Sequence, residues 1–415
     1  MSKAKPFSIS KQVVFEAYKR VKANQGAAGV DGESIFDFEQ DWKNNLYKIW
    51  NRMSSGSYFP PPVRLVGIAK KSGGRRELGV PTVSDRIAQM VAKMYLEPEI
   101  DPYFHPDSYG YRPGKSAIEA VGVARKRCWR YNWVIDLDIK GFFDNLDHEL
   151  LMRAVRKHTD NKWLLLYIER WLKAPVQVAE GTLVSRQKGS PQGSVISPLL
   201  ANLFLHYAFD EWMRRNFEHI PFERYADDIV VHCIGKAQAI RVKSTIEERL
   251  NQCRLELHPE KTKIVYCKDS GRQGSHLNEK FDFLGYEFRP RVSINRYGGH
   301  FVSFLPAVSN EAAKSIRETI RSWRIHRMTD KSIKDLANMF NPVIRGWVNY
   351  YGQFYKSALY PILNQLNGAL QRWAMRKYKK LRGRMRRAFY WLGRIVKRKP
   401  YLFAHWRFVR QSAGR

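Results

Sequence analysis

The sequence of 415 residues predicts an α+β protein: a body that mixes helices with short strands, followed by a basic helical C-terminal region. Up to about residue 305, short apolar runs bounded by glycines and prolines alternate with stretches of helical spacing. After Pro306 the helical spacing continues to the end, with breaks expected near Pro342, Pro361 and Pro400. Hydrophobic residues make up 44% of the chain, which is enough for a large buried core.

The predicted elements of the body follow one another along the chain. Helices are expected at residues 10–22, 35–53, 82–96, 116–128, 197–215 and 238–252. Strands are expected at residues 133–139 and 262–266, and hairpins at residues 63–81 and 222–233. The glycine-rich stretch 26–32 and the three prolines at 60–62 separate elements, because serial prolines cannot continue a helix.

Positive charge is concentrated near the C-terminus. The chain carries 72 Lys and Arg against 39 Asp and Glu, a formal net charge of +33. Residues 310–415 hold 25 of the basic residues and only four acids, and no acid follows Asp335. Nucleic acid is the usual partner of such a chain, since each phosphate contact releases a condensed counterion. A basic surface that serves only solubility is the alternative, but it explains an uneven distribution poorly.

The sequence lacks the signatures of secreted and membrane proteins. The four cysteines show no CxxC pairing and no His at zinc spacing, so we expect reduced and mostly buried thiols. No apolar run approaches the roughly 18 residues of a membrane span. The N-terminus lacks the apolar core of a secretory signal. We therefore expect a cytoplasmic protein with no membrane partner, bacterial in origin, with import into an organelle left open.

Three carboxylates occupy positions that suit divalent metal. Asp138 lies on an apolar strand, where a carboxylate costs several kcal/mol unless a cation or a donor compensates it. Asp227 and Asp228 are adjacent like charges between two apolar runs. Mg²⁺ prefers a few carboxylates with phosphate oxygens and water, and two such ions can activate a 3′-hydroxyl and stabilise leaving pyrophosphate. Taken singly, an ordinary hairpin turn and a satisfied strand-edge residue explain these acids equally well.

Several motifs together resemble those of reverse transcriptases. Residues 225–228 (YADD) resemble the YxDD box, residues 136–144 (DLDIKGFFD) the first palm motif, and residues 189–193 (GSPQG) the template- and nucleotide-positioning turn. Further stretches are similar to group II intron-encoded reverse transcriptases, or maturases: residues 26–32, 78–81, 108–114, 190–205 and 283–285. These pieces occur in the family's order from about residue 10 to residue 290.

This resemblance implies a right-hand polymerase. Its fingers and its palm, built on an antiparallel sheet, are followed by an α-helical thumb and a basic helical C-terminal region. The implied division is an N-terminal extension at 1–59, fingers and palm at 60–305, a thumb (the maturase X region) at 306–368 and a basic RNA- and DNA-binding region at 369–415. The implied activity is RNA-directed DNA polymerisation with two Mg²⁺ ions, Mn²⁺ being an alternative ion. The implied partners are deoxynucleoside triphosphates, an RNA template with a DNA primer, target DNA and the parent group II intron RNA.

The resemblance also implies roles for individual residues. Metal ligands are Asp138, Asp227, Asp228 and the carbonyl of Ile139, whereas Asp136 and Asp144 are structural. Phe143 matches the aromatic that excludes a 2′-OH, with a core aromatic as the alternative. Nucleotide ligands are Arg64, Lys70, Arg76 and Gln192, with a solvated basic hairpin as the alternative for the three cations. Lys261 matches a lysine that protonates pyrophosphate, with Lys263 as its rival.

In the C-terminal region, the basic residues and the aromatic residues are interpreted separately. Eight cations are expected to bind RNA phosphates: Arg372, Arg376, Lys379, Lys380, Arg382, Arg384, Arg386 and Arg387. The aromatic residues at 347–355 have helical spacing, and packing inside a thumb explains most of them.

Upstream of this region, residues 283–286 (FLGY) resemble the turn that grips the primer end.

One departure from the family limits the expected activities. Many members continue into a DNA endonuclease domain rich in Cys and His, which this sequence lacks, so bottom-strand cleavage is not expected and priming requires an existing 3′ end. Two other functions stay open: a splicing cofactor whose polymerase is secondary or unused, and a free-standing reverse transcriptase recruited to host defence or repair.

Overall fold

The computed structural model describes residues 5–69, 75–178 and 181–408, with the backbone alone of Ala69, Arg75 and Arg76. The chain divides into two compact units. The first consists of Met1–Ala120 and Ile135–Ile264, and the second of Val121–Val134 and Val265–Arg415. The four-part division expected from the sequence stays a prediction.

Helices and strands alternate through the first unit, and helices follow the last strand of the second. The α-helices of the described ranges are α1 (Lys11–Asn24), α2 (Ile35–Gln40), α3 (Trp42–Ser55), α4 (Val83–Ile100), α5 (Ala117–Cys128), α6 (His148–Arg156), α7 (Lys162–Lys173), α8 (Ser197–Leu205), α9 (Glu211–Asn216), α10 (Lys236–Gln252), α11 (Asn310–Ser322), α12 (Ile333–Tyr351), α13 (Tyr360–Lys377) and α14 (Met385–Arg398). The strands are β1 (Val63–Ala69), β2 (Arg75–Val80), β3 (Trp133–Leu137), β4 (Val176–Gln177), β5 (Leu183–Val184), β6 (Phe222–Tyr225), β7 (Asp228–Cys233), β8 (Lys263–Tyr266), β9 (Phe281–Phe283), β10 (Tyr286–Ile294) and β11 (His300–Val308).

Three sheets organise these strands, in the orders β2-β1-β4-β5, β6-β7-β3-β8 and β11-β10-β9. Short polar residues begin many of the helices, since their side chains satisfy backbone N–H groups that lack a helical partner. Ser34 with Asp37 and Ser332 with Asp335 form complete capping boxes at α2 and α12. Thr82 caps α4 by accepting from the Asp85 N–H.

The core of the first unit contains a buried carboxylate on α4. Asp85 Oδ1 accepts hydrogen bonds from the Tyr58 hydroxyl and from Trp171 Nε1, both at 2.8 Å, and Oδ2 accepts from Gln89 Nε2 at 2.9 Å. Burial raises the Asp85 pKa, and the three donors oppose that shift. These bonds tie α4 to α7 and to the segment that precedes β1.

The helices of the second unit have a core of their own. Leu336 and Ile344 of α12, Leu363 and Leu370 of α13, and Leu392 of α14 are all fully buried in one cluster.

None of the helices in the described ranges combines the length and the apolar character needed to span a bilayer. All four cysteines are buried and none of them is joined in a disulfide bond, as the sequence predicts.

Two element predictions are wrong in detail. The helix expected at 35–53 is interrupted at Asp41, and the carbonyl of Phe38 accepts instead from the Asn45 side chain at 3.1 Å. The break expected near Pro342 is absent, since α12 runs through that proline. A proline inside a helix costs about 3 kcal/mol or more, which the burial of Leu336, Phe340 and Ile344 on the same helix offsets.

Candidate active site

The YADD motif forms the tight turn between β6 and β7. These strands are antiparallel and pair Tyr225 with Asp228. Ala226 has a φ of 57°, in the left-handed region, so the chain reverses sharply. A Cβ on Gly110 would lie 2.4 Å from the Ala226 backbone nitrogen, so only glycine fits where residues 108–114 pack against the turn. The turn is therefore held in one conformation that presents Asp227 and Asp228.

A fully buried ion pair supports this turn. Arg224 donates from Nε and Nη2 to the two Asp210 carboxylate oxygens at 2.7 and 2.6 Å, and neither side chain is exposed. Its Nη1 donates to Asn202 Oδ1 at 3.0 Å and to the Ala226 carbonyl at 3.2 Å. Asn202 in turn donates to the Gly110 carbonyl at 2.6 Å. One charged network thus connects α8 and the π-helical turn after it with the YADD turn.

Asp138 lies directly after β3, next to the predicted lysine. Its carbonyl accepts from the His258 N–H at 2.7 Å, and Ile139 pairs with Leu257 in an isolated antiparallel bridge. The Lys261 ammonium donates to Asp138 Oδ2 at 2.9 Å. Asp138 is one-third exposed and Lys261 60% exposed, so both remain accessible to a ligand. The structure therefore brings Lys261 to Asp138, whereas the rival Lys263 begins β8.

The three aspartates lie close enough to influence one another. Although Asp228 is accessible to solvent, its pKa is raised to about 7. Desolvation by the surrounding protein is the largest cause, the negative charges of Asp227 and then Asp138 add to it, and Lys261 opposes it. Within the described ranges, however, no three Asp, Glu, His or Cys side chains form a ready-made metal site. The aspartates are thus electrostatic neighbours whose crowding a divalent cation would relieve.

The GSPQG turn lies against the loop that follows Asp138. The Ser190 N–H donates to the Phe143 carbonyl at 2.8 Å, and the Gly189 N–H donates to the Leu146 carbonyl at 2.7 Å. Gly189 has a φ of 82°, and a Cβ there would lie 2.7 Å from the Asp144 carbonyl oxygen. Phe143 is 7% exposed. The phenylalanine and the turn are therefore fixed to each other through their backbones.

The β1–β2 hairpin packs on the other side of this turn. The Gly79 N–H donates to the Gln192 carbonyl at 2.6 Å. A Cβ on Gly79 would lie 2.8 Å from Pro191 Cβ, and one on Gly193, whose φ is 110°, would lie 2.5 Å from the Gly79 carbonyl oxygen. This close approach of two backbones requires glycine on both sides.

The hairpin carries the three predicted phosphate ligands. Arg64 on β1 is half-buried, and its Nε is buried without a hydrogen-bond partner in the described part of the chain. Arg76 pairs with Ile68 across the hairpin, but its side chain lies outside the described residues, as does the whole of Lys70. An unsatisfied guanidinium nitrogen on Arg64 is costly unless a ligand oxygen meets it.

In the second unit, the predicted primer-grip turn packs against aromatic residues. Leu284 and Gly285 have positive φ values of 52° and 78° between β9 and β10. The Tyr350 hydroxyl donates to the Leu284 carbonyl at 2.8 Å, and a Cβ on Gly285 would lie 3.1 Å from the Tyr351 hydroxyl. The interpretation of these aromatics as packing residues is confirmed for Trp347 and Tyr351, which lie against the helical core of the second unit, whereas Tyr350 contacts the β9–β10 turn.

The eight predicted RNA-binding cations are all exposed in the second unit: Arg372, Arg376, Lys379, Lys380, Arg382, Arg384, Arg386 and Arg387. They lie on the C-terminal end of α13, on the turn that follows it and on the start of α14. Their exposure is compatible with phosphate binding.

Comparison with known proteins decides the family. Residues 68–288, more than half of the chain, match the sequence model described as reverse transcriptase (RNA-dependent DNA polymerase). The chain belongs to this family. Residues 313–391 also match the maturase-specific domain of group II introns. The chain is therefore an RNA-directed DNA polymerase with the reverse transcriptase fold, followed by a maturase domain.

Relatives of this reverse transcriptase include bacterial and intron-encoded proteins. Protein YkfC of Escherichia coli (strain K12) is 31% identical over 75% of this chain and 88% of its own. The group II intron-encoded protein LtrA of Lactococcus lactis subsp. cremoris is 26% identical over 87% of this chain and 71% of its own. The structure of telomerase from Candida albicans with a TWJ fragment of telomeric RNA aligns with a TM-score of 0.47 and 11% identity, covering 91% of this chain and 68% of that chain. The sequence matches alone carry the assignment.

Sequence reasoning missed the residues that support the reverse transcriptase's YADD turn. Arg224 and its neighbour Glu223 both lie in the buried strand β6, and Asp210 follows a largely apolar helix. Charges inside elements that bury their side chains were the available signal, because buried charges need a partner. Asn202, which bridges this pair to Gly110, gave no such signal.

Proposed function

We propose that this reverse transcriptase extends a DNA primer on an RNA template by two-metal nucleotidyl transfer, and binds its parent group II intron RNA to assist splicing and mobility. The observation that carries the first part is the proximity of Asp138, Asp227, Asp228 and Lys261 in one unit. The maturase-specific domain supports the second part. We also propose a bacterial cytoplasmic location, which the relatives from Escherichia coli and Lactococcus lactis support.

The residues present fit divalent cations. Three carboxylates with a raised Asp228 pKa form a crowded anionic group, and oxygen ligands of this kind suit Mg²⁺ or Mn²⁺. We propose Asp138, Asp227, Asp228 and the Ile139 carbonyl as the ligands of two ions. Such ions would supply activation of the primer 3′-hydroxyl and stabilisation of the pyrophosphate that leaves.

The protein's own groups have separate proposed roles. Lys261, 2.9 Å from Asp138, is the proposed donor of a proton to pyrophosphate, since its ammonium is exposed and beside the carboxylates. Arg64, Lys70 and Arg76 are the proposed triphosphate ligands on the hairpin, and the unsatisfied Arg64 Nε supports that role. Gln192 positions the nascent base pair through its turn, and Phe143 limits the space beneath the sugar.

RNA binding is assigned to the basic surface of the second unit. The exposed cations between Arg372 and Arg387 have no acidic residue anywhere after Asp335 to neutralise them. Phosphates would compensate this charge, and counterion release would make binding strongly dependent on salt. The template, the primer and any target DNA are proposed to share this electrostatic attraction.

The decisive experiment is primer extension on an RNA template by Asp138→Asn and Asp228→Asn variants. Each change removes a ligand charge without altering shape, so extension should fall by at least about a thousandfold, a scale typical of essential charged catalytic groups. RNA affinity should stay within about twofold, since the basic surface is unchanged. Asp144→Asn is the matched control, because Asp144 is an exposed carboxylate of the same loop.

Two results would contradict the proposal. Normal extension by Asp138→Asn would show that extension does not require Asp138 as a metal ligand. Absence of extension by the unmodified protein, combined with normal assistance of splicing of its flanking intron, would leave a splicing cofactor whose polymerase is unused.

A further inference from the structure

A cavity of about 790 Å³ opens in the second unit between the end of α13 and α14. Its lining includes Tyr378, which directly follows α13, Leu381 on the short 3₁₀ turn Lys379–Leu381, and Trp391 of α14. The volume lies within the roughly 300–1,000 Å³ of sites that enclose small organic groups. None of the residues that line this cavity is among the candidate catalytic residues described above.

Aromatic rings form one wall of this cavity. The ring centroids of Tyr378 and Trp391 are 5.2 Å apart, and both rings contact Trp373, at 5.9 and 6.3 Å. Trp373 is fully buried and donates from Nε1 to the Met328 carbonyl at 2.9 Å, so the wall is anchored from behind. Tyr390 also lines the cavity and is 55% exposed. The buried residues of α14 are Ala388 and Leu392, so the exposed Tyr390 ring is not needed for the packing of this helix.

Cations line the remainder of the cavity. Lys379, Lys380, Arg387 and Arg394 are all exposed and lie around the same opening. In the part of the chain that the structure describes, none of these four forms an ion pair, and the sequence holds no acid after Asp335. Lys377 differs, since its ammonium is engaged by the Thr329 and Lys331 carbonyls at 2.7 and 2.9 Å. The four other cations are therefore available to an anionic ligand.

We propose that this cavity takes one unstacked nucleotide of a bound RNA, with its base against Tyr378, Tyr390 and Trp391 and its phosphates on the surrounding cations. The inference deepens the proposed RNA binding and rests on it. Every base has a π-face that stacks on an aromatic ring, whereas an acidic peptide would use the cations and leave the rings unmatched. Bases inside a duplex are already stacked and cannot enter. The cavity should therefore distinguish looped or bulged RNA from continuous duplex.

The test uses the full chain and three hairpin RNAs of one sequence: a continuous stem, the same stem with one bulged nucleotide, and the bulged stem with an abasic residue at the bulge. The unmodified protein should bind the bulged RNA most tightly. Tyr390→Ala should weaken that binding by about 5- to 150-fold, which corresponds to the loss of one stacked base. Its affinity for the continuous and the abasic stems should not change, because only the ring is lost.

Matched variants separate stacking from other effects. Tyr390→Phe keeps the ring and should bind like the unmodified protein. Tyr401→Ala removes a ring that is 71% exposed but outside the cavity, and it should also have no effect. Arg387→Gln should weaken binding of all three RNAs and reduce the slope of log K against log salt by about 0.7–0.9, as for one phosphate contact.

Each outcome bears on the inference. It would be overturned if Tyr390→Ala weakened binding of the bulged and abasic RNAs equally, or of neither, in a protein with an unchanged thermal midpoint. If polyglutamate displaced labelled bulged RNA from the protein more strongly than unlabelled bulged RNA did, an acidic peptide would replace the nucleotide as the ligand of the cavity. If the unmodified protein bound no RNA and extended no primer, the proposed function itself would fail. Normal extension and binding without any preference for the bulge would remove the nucleotide cavity alone.

Discussion

At the scale of single residues, Phe143 illustrates how one side chain combines packing with a proposed role in selectivity. Its ring lies 5.4 Å from that of Phe142 in an edge-to-face contact, and its carbonyl is bonded to the Ser190 N–H of the GSPQG turn. The backbone bond fixes the position of the phenylalanine, and the ring fills the space beside it. Replacing the ring by a smaller side chain should therefore alter the selectivity between ribonucleotides and deoxynucleotides without moving the turn.

We expect Phe143→Leu to raise the incorporation of ribonucleotides relative to deoxynucleotides by at least about tenfold, because a smaller side chain leaves room for a 2′-OH. The measurement is the ratio of kcat/KM for the two kinds of nucleotide on one primer–template. Phe142→Leu is the matched control: Phe142 is 2% exposed, so the change should lower stability but leave the ratio unaltered. An unchanged ratio in Phe143→Leu would place the sugar gate elsewhere.

Arg224 is expected to act on catalysis only through the turn it supports. Arg224→Met should lower the free energy of unfolding by about 3–5 kcal/mol, since Asp210 would stay buried without its partner. Urea unfolding of Arg224→Met, of Asp210→Leu and of the double variant checks this, and the double variant should recover part of the loss. Below its unfolding midpoint, Arg224→Met should show a lower kcat with little change in template affinity. Additive losses in the double variant would contradict the pairing.

The aspartates proposed as metal ligands and the residues that support them differ in how easily a sequence reveals them. Asp138, Asp227 and Asp228 could be chosen as candidate ligands because each is a charge in an apolar context within a known motif. The contact between Lys261 and Asp138 joins residues 123 positions apart, and only the folded chain brings them together. Arg64 could be named, but its unsatisfied Nε depends on how β1 lies between β2 and β4.

At the scale of elements, the β1–β2 hairpin and the GSPQG turn approach so closely that two glycines are needed. Gly79→Ala should destabilise this contact and raise the KM for nucleotide more than it lowers kcat, because a Cβ would lie 2.8–2.9 Å from Pro191 and Val63 side-chain atoms. Steady-state kinetics together with the thermal midpoint measures both effects. Gly346→Ala is the control, since a Cβ on this helical glycine would meet nothing within 4 Å. That variant should be neutral or more stable by up to about 1 kcal/mol. Equal behaviour of the two variants would contradict the glycine requirement.

Prolines explain three of the errors made from the sequence. Strands β10 and β11 form a nine-residue antiparallel ladder, yet Pro290 and Pro306 lie within them, and prolines argue against strands. Pro342 misled in the opposite direction, suggesting a break in α12 where the helix continues. In each case, tertiary packing outweighed a local preference that the sequence displays openly.

At the scale of the whole molecule, the excess positive charge and the proposed catalytic groups are separated along the sequence. The proposed metal ligands all lie in the first unit, whereas most of the excess positive charge lies in the second. This separation could be predicted from the sequence alone, since it depends only on where the charges and the motifs lie along the chain. It implies that holding a large RNA and joining nucleotides can be impaired independently.

We expect a variant with Arg382, Arg384, Arg386 and Arg387 all changed to Gln to bind intron RNA more weakly and with a flatter salt dependence. If all four contact phosphates, the slope of log K against log salt should fall by roughly 3–4 units, from about 0.7–0.9 per contact. Primer extension on a preformed primer–template at low salt should largely survive, because the aspartates are undisturbed. Assistance of splicing should suffer more, since it depends on holding a folded RNA.

The matched control for this variant changes the same four arginines to lysine. It preserves every charge, so its salt slope should stay near that of the unmodified protein, even though lysine cannot form paired contacts to phosphate. Equal losses in the glutamine and lysine variants would mean that shape-specific contacts, rather than counterion release, dominate binding. Normal splicing combined with lost polymerisation in the glutamine variant would assign this basic surface to the primer–template duplex. The reverse transcriptase would then have no RNA-binding surface separate from polymerisation, and the proposed division between the two activities would be wrong.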